Sequence, residues 1–442
     1  MKKVLVLGAG MVSKPLVDYL LSQQHQVILG DLNLEQAQQL IAGHPRGQAV
    51  QVDMADKNTW QGLVEDVDMA ISLLPPVFHP QVAQACLKAR KHFASASYLS
   101  DAMSGFDSEA REAGLVFLNE TGLDPGLDHA TAMELIDDAV ENGYTIESFA
   151  SHCGGIPSRK AANNPLRYKF SWSPRGVLGA LTRPSRFRRD GQLLEIPGEQ
   201  NLNQAQVVNI PGAGVFESTP NADALFYGER YGLQDAPTVY RGTLRYPGWG
   251  SFWRYMLSLG FIDQERRQRF ERVPAGRAML MLAGMDPNTS LAEKIQQERV
   301  EQAPVFLEIL GHWGFFDPDV LITGEYSAFD LLLERTLATS SMKYDEDEAD
   351  LVVLHHEFVV RKGQQRERWT STLIQEGKPE EGKTAMALTV GIPLGIASQL
   401  ILENKIEHRG VLIPIDRTIY RPLLDELKTL GLGHTITRTP IP

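Results

Sequence analysis

The chain has 442 residues, 43% of them hydrophobic and 22% charged, and contains only two cysteines. That length exceeds what a single core usually fills, so two or more domains are expected, and the cysteine count excludes a disulfide framework or a multi-cysteine metal centre. A net charge of −12 without a Lys/Arg stripe interleaved with aromatics excludes a nucleic-acid surface, and no apolar stretch reads as long enough to span a bilayer.

The chain opens directly in a strand-like run, without the charged and apolar segments of a secretory leader, so a cytoplasmic protein is expected. Residues 3–7 (Lys-Val-Leu-Val-Leu) read as a buried parallel strand, and Gly8-Ala9-Gly10-Met11-Val12-Ser13 leads into a helix-periodic run through Leu16, Leu20 and Leu21. Gly8 permits the tight turn and Gly10 lets the backbone approach a pyrophosphate, while Ser13 stands where the pattern prefers a third glycine or alanine. A second strand, residues 26–29, runs to Asp31, about 20 residues after the glycines, where a carboxylate accepts both ribose hydroxyls. The competing reading of Asp31 is a helix cap. Further alternation follows, with strands at 49–52, 69–74, 92–96 and 116–119. This predicts a doubly wound Rossmann sheet whose strand-end loops, at Asp53, Leu74 and Ala96, line one crevice. Asp31 would repel a 2′-phosphate and no arginine follows it, so NAD is favoured over NADP as the cofactor.

Beyond Gly126 the pattern changes. A helix at 127–140 and a strand at 145–152 lead to Cys153-Gly154-Gly155, where a second, mixed α/β domain begins. Residues 164–176 are dense in aromatics, hydroxyls and cations, which suits either a pocket for acidic groups or a surface loop. Arg241-Gly242-Thr243-Leu244-Arg245-Tyr246 is strand-like, and residues 247–350 read as a helical insertion with helices at 252–259, 264–270, 275–283, 291–298 and 329–338. The acidic run 344–350 reads as a solvated loop, 351–354 and 357–360 as two strands, and His355-His356-Glu357 lacks the spacing of a zinc motif, so no metal is expected. The last long helix, 384–402, contains Pro393, which predicts a kink. The domains are therefore expected at 1–125 with about 390–442, at 126–246 with 351–389, and at 247–350.

Taken in order, the motifs resemble the saccharopine reductase family, the glutamate-forming saccharopine dehydrogenases. They are Gly8-Ala9-Gly10, Ser72-Leu73-Leu74-Pro75 with Phe78-His79-Pro80, Ser97-Tyr98-Leu99-Ser100, Asn119-Glu120, Gly122 to His129, Cys153-Gly154-Gly155, Asn164-Pro165 with Tyr168 to Ser173, Arg175-Gly176, and Arg241 to Tyr246. The resemblance implies a Rossmann domain, a substrate domain that also forms a homodimer, and oxidation of a secondary amine to an imine that water splits into glutamate and 2-aminoadipate 6-semialdehyde, or the reverse. It implies Asp124, Tyr98 and Cys153 near the reacting carbon. Ser97 is implied to touch cofactor and substrate, Leu123 and Pro125 to flank the nicotinamide, and Ser173 to make a further cofactor contact. Arg245, with Thr243, Leu244 and Tyr246, is implied to bind a substrate carboxylate, and Arg175 is a second candidate. The competing readings are a cap for Asp124, a core aromatic for Tyr98 and a small buried hydrophobe for Cys153.

The chain departs from the family pattern at two positions. Ala222 stands where the family usually places another carboxylate-binding arginine, and Asp31 is an acid that the NADP-using eukaryotic members lack. The alternatives are a carboxyspermidine or homospermidine-type enzyme, which would need acidic side chains to grip a polyamine, and a dinucleotide-binding protein that has lost turnover.

Overall fold

A computed structural model describes residues 1–297 and 303–442, which fold into two compact units. The first comprises residues 1–153, 228–236 and 354–442; the second comprises 154–227 and 237–353. The chain passes between units within the strands Thr145–Pro157 and Asp350–Lys362, the latter a single strand where two were expected, and again on either side of residues 228–236.

The first unit is built on β1 (Lys3–Leu7), β2 (Gln26–Asp31), β3 (Gly47–Gln51), β4 (Met69–Ser72), β5 (His92–Ser95) and β6 (Val116–Leu118). With Gly410–Leu412 they form a seven-stranded sheet in the order Gly410–Leu412, β6, β5, β4, β1, β2, β3. Every pairing is parallel. Val4, Leu5, Val6 and Leu7 have no exposed surface, as a central strand covered by helices on both faces requires. Strand order reverses between β1 and β4, which places the crevice for a ligand at their carboxyl ends.

Helix α1 (Ser13–Ser22) packs against the helix Ala385–Leu402. Gly391 and Gly395 allow the close approach, since a Cβ at either would lie 2.9 Å from the Leu16 amide nitrogen or 2.6 Å from the Tyr19 ring. Ala385–Leu402 has 18 residues and a mean hydropathy of 1.8, long and apolar enough to cross a membrane by length and composition, contrary to the expectation that no such stretch exists. Most of that helix is buried, in the manner of a core helix.

In the second unit, Gly214–Pro220 pairs antiparallel with Gln206–Ile210 and with Thr238–Arg245, and the hairpin Ser185–Arg189/Gln192–Ile196 joins the latter strand. Helices Trp249–Ser258, Ala275–Leu282, Ala303–His312 and Ala328–Ala338 contribute an aromatic core in which Phe252 lies 4.8 Å from Phe306 and 5.5 Å from Trp313, centroid to centroid. Residues 264–270, expected as helix, instead enter the strand Arg267–Pro274, paired with Leu321–Ser327. Exposed Arg267, Arg269 and Glu271 alternate with inward Gln268 and Phe270, a period of two that overrides the helical reading. The expected helix at 291–298 is present as Leu291–Gln297, and Glu298 lies outside the described residues. In the acidic run, Asp345 to Asp347 are exposed as expected, but Glu348 turns inward to pair with the buried Lys169, which holds its carboxyl below the usual range.

Candidate active site

The glycine turn sits at the carboxyl end of β1. Gly8 adopts φ +106°, and a Cβ there would come within 3.0 Å of the Leu73 carbonyl. A Cβ at Gly10 would meet nothing within 4 Å, so the backbone is open to a ligand at this point. Ser13 donates its hydroxyl to the Gly8 carbonyl at 2.8 Å, which ties the start of α1 to the turn where a third glycine would only have packed. Met11 is exposed and Val12 precedes α1. An open glycine backbone before a helix N-terminus fits the pyrophosphate of a dinucleotide.

Asp31 closes β2 beside this turn. Its Oδ2 accepts from the Ala9 amide at 2.7 Å and its Oδ1 from the Asn33 amide at 2.8 Å. The cap of α2 (Leu34–Ile41) is Asn33, which accepts from the Gln36 amide, so the capping role considered for Asp31 belongs to its neighbour. Asp53, after β3, is exposed and accepts from the Ala55 amide at 2.9 Å. Leu74 and Ala96, after β4 and β5, are half-buried.

The loop after β5 brings two predicted residues together: the Tyr98 hydroxyl donates to Asp124 Oδ1 at 2.8 Å, across 26 positions of sequence. Asp124 belongs to the loop between Gly122 and Gly126, which closes on itself through the Gly122 amide to the Pro125 carbonyl and the Leu127 amide to the Gly122 carbonyl, both at 2.9 Å. Gly126 has φ +145°, and a Cβ there would lie 2.3 Å from the Gly122 backbone, so only glycine fits. Leu123 and Pro125 are buried in this loop while Asp124 is half-exposed. Asp128 accepts from the Gly126 amide at 2.6 Å and anchors the loop to the helix Leu127–Glu141.

Beneath these residues lies a buried polar layer that the sequence reading did not single out as functional. Glu120 is fully buried at φ +56°; its Oε1 accepts from the Leu99 amide at 2.8 Å, and its Oε2 lies 2.8 Å from His129 Nε2. His129 Nδ1 in turn meets the Tyr231 hydroxyl. His79, 2% exposed, bridges the hydroxyls of Ser72 at 2.9 Å and Ser97 at 2.8 Å. Burial holds the imidazole neutral by pushing its pKa down to about 4. The clue available in the sequence was a polar residue directly after an apolar strand, as in Asn119-Glu120 after β6.

In the second unit, a recess open to solvent is lined by Arg245, Thr243, Ala222, Asn221, Asn201, Arg183 and Trp249 among others, with no Asp or Glu. Arg245 is 6% exposed and stacks over Tyr168 at 5.1 Å and Trp249 at 5.2 Å. One Nη donates to the Leu244 carbonyl at 2.7 Å, whereas Nε is buried without a hydrogen-bond partner among the described residues. A buried cation with an unmet donor, whose cross-strand neighbour Glu217 is engaged by the Gly248 and Gly250 amides, is arranged to receive an anion in this recess. Leu244 is fully buried, and the Tyr246 hydroxyl donates to the Pro157 carbonyl at 2.9 Å. Arg183, Asn201 and Asn221 were not anticipated as lining residues.

The remaining predicted residues are placed differently. Arg175 is exposed and pairs with Asp330 at 2.6 Å, a carboxylate that Arg267 also engages, and it does not line the recess. Ser173 accepts from the Gly176 amide and caps the helix Pro174–Gly179. Cys153 is 5% exposed within its strand. Among the described residues, no group of three or more His, Cys, Asp or Glu could hold a metal ion.

The comparisons agree across the whole chain. Residues 4–118 match the saccharopine dehydrogenase NADP binding domain and residues 122–432 the saccharopine dehydrogenase C-terminal domain. A saccharopine dehydrogenase [NADP(+), L-glutamate-forming] of Pyricularia oryzae is 36% identical, over 97% of this chain and 96% of that protein. An alpha-aminoadipic semialdehyde synthase of Arabidopsis thaliana is 35% identical over 97% of this chain, which spans only 44% of that longer protein. The apo structure of saccharopine dehydrogenase (L-Glu forming) from Saccharomyces cerevisiae superposes with a TM-score of 0.88 at 32% identity and full coverage of both chains. The chain belongs to the saccharopine dehydrogenase family.

Proposed function

We propose that the chain is a nicotinamide-dinucleotide-dependent dehydrogenase acting on the secondary amine of saccharopine, giving glutamate and 2-aminoadipate 6-semialdehyde, or running the reverse reductive amination. The observation that carries this reading is the 2.8 Å Tyr98–Asp124 hydrogen bond at the carboxyl ends of a parallel sheet whose glycine turn is open to a dinucleotide. The bound nicotinamide supplies a hydride acceptor for the substrate C–H bond. Asp124 is the base that accepts a proton during addition of water to the substrate imine and returns it to the departing amine, and Tyr98 orients it. Glu120, through the Leu99 amide, fixes the loop that carries Tyr98. Arg245 and Thr243 hold a substrate carboxylate, which the acid-free recess favours over a polyamine. The enzyme acts as a homodimer.

For the cofactor, relatives from three fungi are named as NADP(+) enzymes, whereas this chain carries Asp31 at the end of β2 with no following arginine. We infer a preference for NAD, with NADP as the alternative, because the carboxylate that holds the Ala9 amide would also repel a 2′-phosphate. The test is steady-state oxidation of saccharopine with each cofactor, together with reductive amination using glutamate or a diamine as amino donor. Turnover with glutamate alone, and a higher kcat/KM with NAD, are expected. Turnover with the diamine would establish the polyamine alternative, and a kcat/KM strongly favouring NADP would overturn the reading of Asp31.

A further inference from the structure

We propose that His79 is a positioning residue whose proton sits on Nε2, so that Ser97 presents its hydroxyl hydrogen to an oxygen acceptor on the bound ligand. The inference rests on Ser97 being a cofactor and substrate contact, which the resemblance to the saccharopine reductase family implies. His79 opens the helix His79–Ala89 and packs edge-on against Phe93 at 6.3 Å, with its two nitrogens facing the hydroxyls of Ser72 and Ser97. A neutral imidazole offers one N–H and one lone pair, so the two serines must play opposite roles.

Ser72 decides which role each takes. It has no exposed surface, and the imidazole is the one side-chain hydrogen-bond partner of its hydroxyl among the described residues. A buried hydroxyl that donates here is satisfied; one that only accepts strands its own hydrogen in the interior, where an unmet donor is costly. Ser72 therefore donates to Nδ1, Nε2 carries the proton, and Nε2 donates to Ser97 Oγ. The Ser97 hydrogen is thereby turned away from the imidazole. The backbone at Ser97 is already fixed, because its carbonyl accepts from the Glu120 amide at 3.1 Å and the nearby Leu99 amide is held by Glu120. The matching ligand group is an uncharged or anionic oxygen: a carboxamide or phosphate oxygen of the cofactor, or a carboxylate of the substrate.

The direct test is nitrogen NMR of histidine-labelled protein. The wild type should show His79 as the neutral Nε2–H tautomer, and Ser72→Ala should convert it to a mixture. In binding assays, Ser72→Ala and His79→Phe should weaken the ligand on the order of tenfold, while His79→Gln, which keeps an N–H near the ε position, should stay within about threefold of wild type. Titration of the dinucleotide alone, set beside the KM for saccharopine at saturating cofactor, assigns the acceptor to one ligand or the other. An Nδ1–H tautomer in the wild type, or a Ser72→Ala protein with tautomer and affinities unchanged, overturns the inference. A Ser97→Ala protein with both affinities unchanged, beside an intact Nε2–H signal, overturns instead the reading of Ser97 as a ligand contact.

Discussion

Asp124 and Tyr98 are the residues on which the proposed chemistry turns: Asp124 Oδ1 receives the Tyr98 hydroxyl, and Asp128 holds the Gly126 amide at the start of the following helix. Asp124→Asn keeps the shape and removes the base. It should lower kcat on the order of 10²–10³-fold and leave the dissociation constant for the dinucleotide unchanged. A protein that lost thermal stability but kept kcat would return Asp124 to a structural role. Ser97, Tyr98, Asp124 and Arg245 were legible as candidates because each stands in a motif of the family resemblance. His79 and Glu120 stand in such motifs too, but their supporting contacts were not legible, since their partners lie 18 and 21 residues away and meet them only once parallel strands are in register.

At the scale of elements, the loop between β6 and the helix Leu127–Glu141 is the most constrained part of the candidate site. Gly126→Ala places a Cβ against the Gly122 backbone in a conformation that side chains rarely adopt. It should cost on the order of 2–4 kcal/mol in denaturant unfolding and reduce turnover with it. A change under about 0.5 kcal/mol would show that the loop relaxes freely. Six strands of the parallel sheet of the first unit were legible from their position between glycine, proline or aspartate turns and helix-periodic runs, whereas the three-residue edge strand Gly410–Leu412 was too short to be read. The strand Arg267–Pro274 was not legible either, because its charges obscured a period of two across a bulge at Phe270. The helix Ala385–Leu402 was legible as a helix; that it is nearly all core follows from burial on every side, which periodicity does not record.

For the molecule as a whole, four histidines of the first unit are buried and held neutral by desolvation. The pKa falls from the ordinary 6.5 to about 4 for His79 and His355, and to about 3 for His152 and His356. The unfolded chain therefore binds protons below pH about 6.5 that the folded unit does not. Stability is full above that value and falls as the pH drops toward about 4, because the unfolded chain gains protons that the folded unit excludes. The thermal midpoint should fall between pH about 7 and about 5, before most carboxylates titrate; a midpoint that held or rose would contradict this assignment.

Oxidation of the secondary amine of saccharopine is measured most directly by incubating purified protein with saccharopine and NAD or NADP and quantifying glutamate and reduced cofactor together. The two products should appear in equal amounts, with NAD the better acceptor. Tight dinucleotide binding with neither product formed, from either cofactor, would contradict the proposed oxidation.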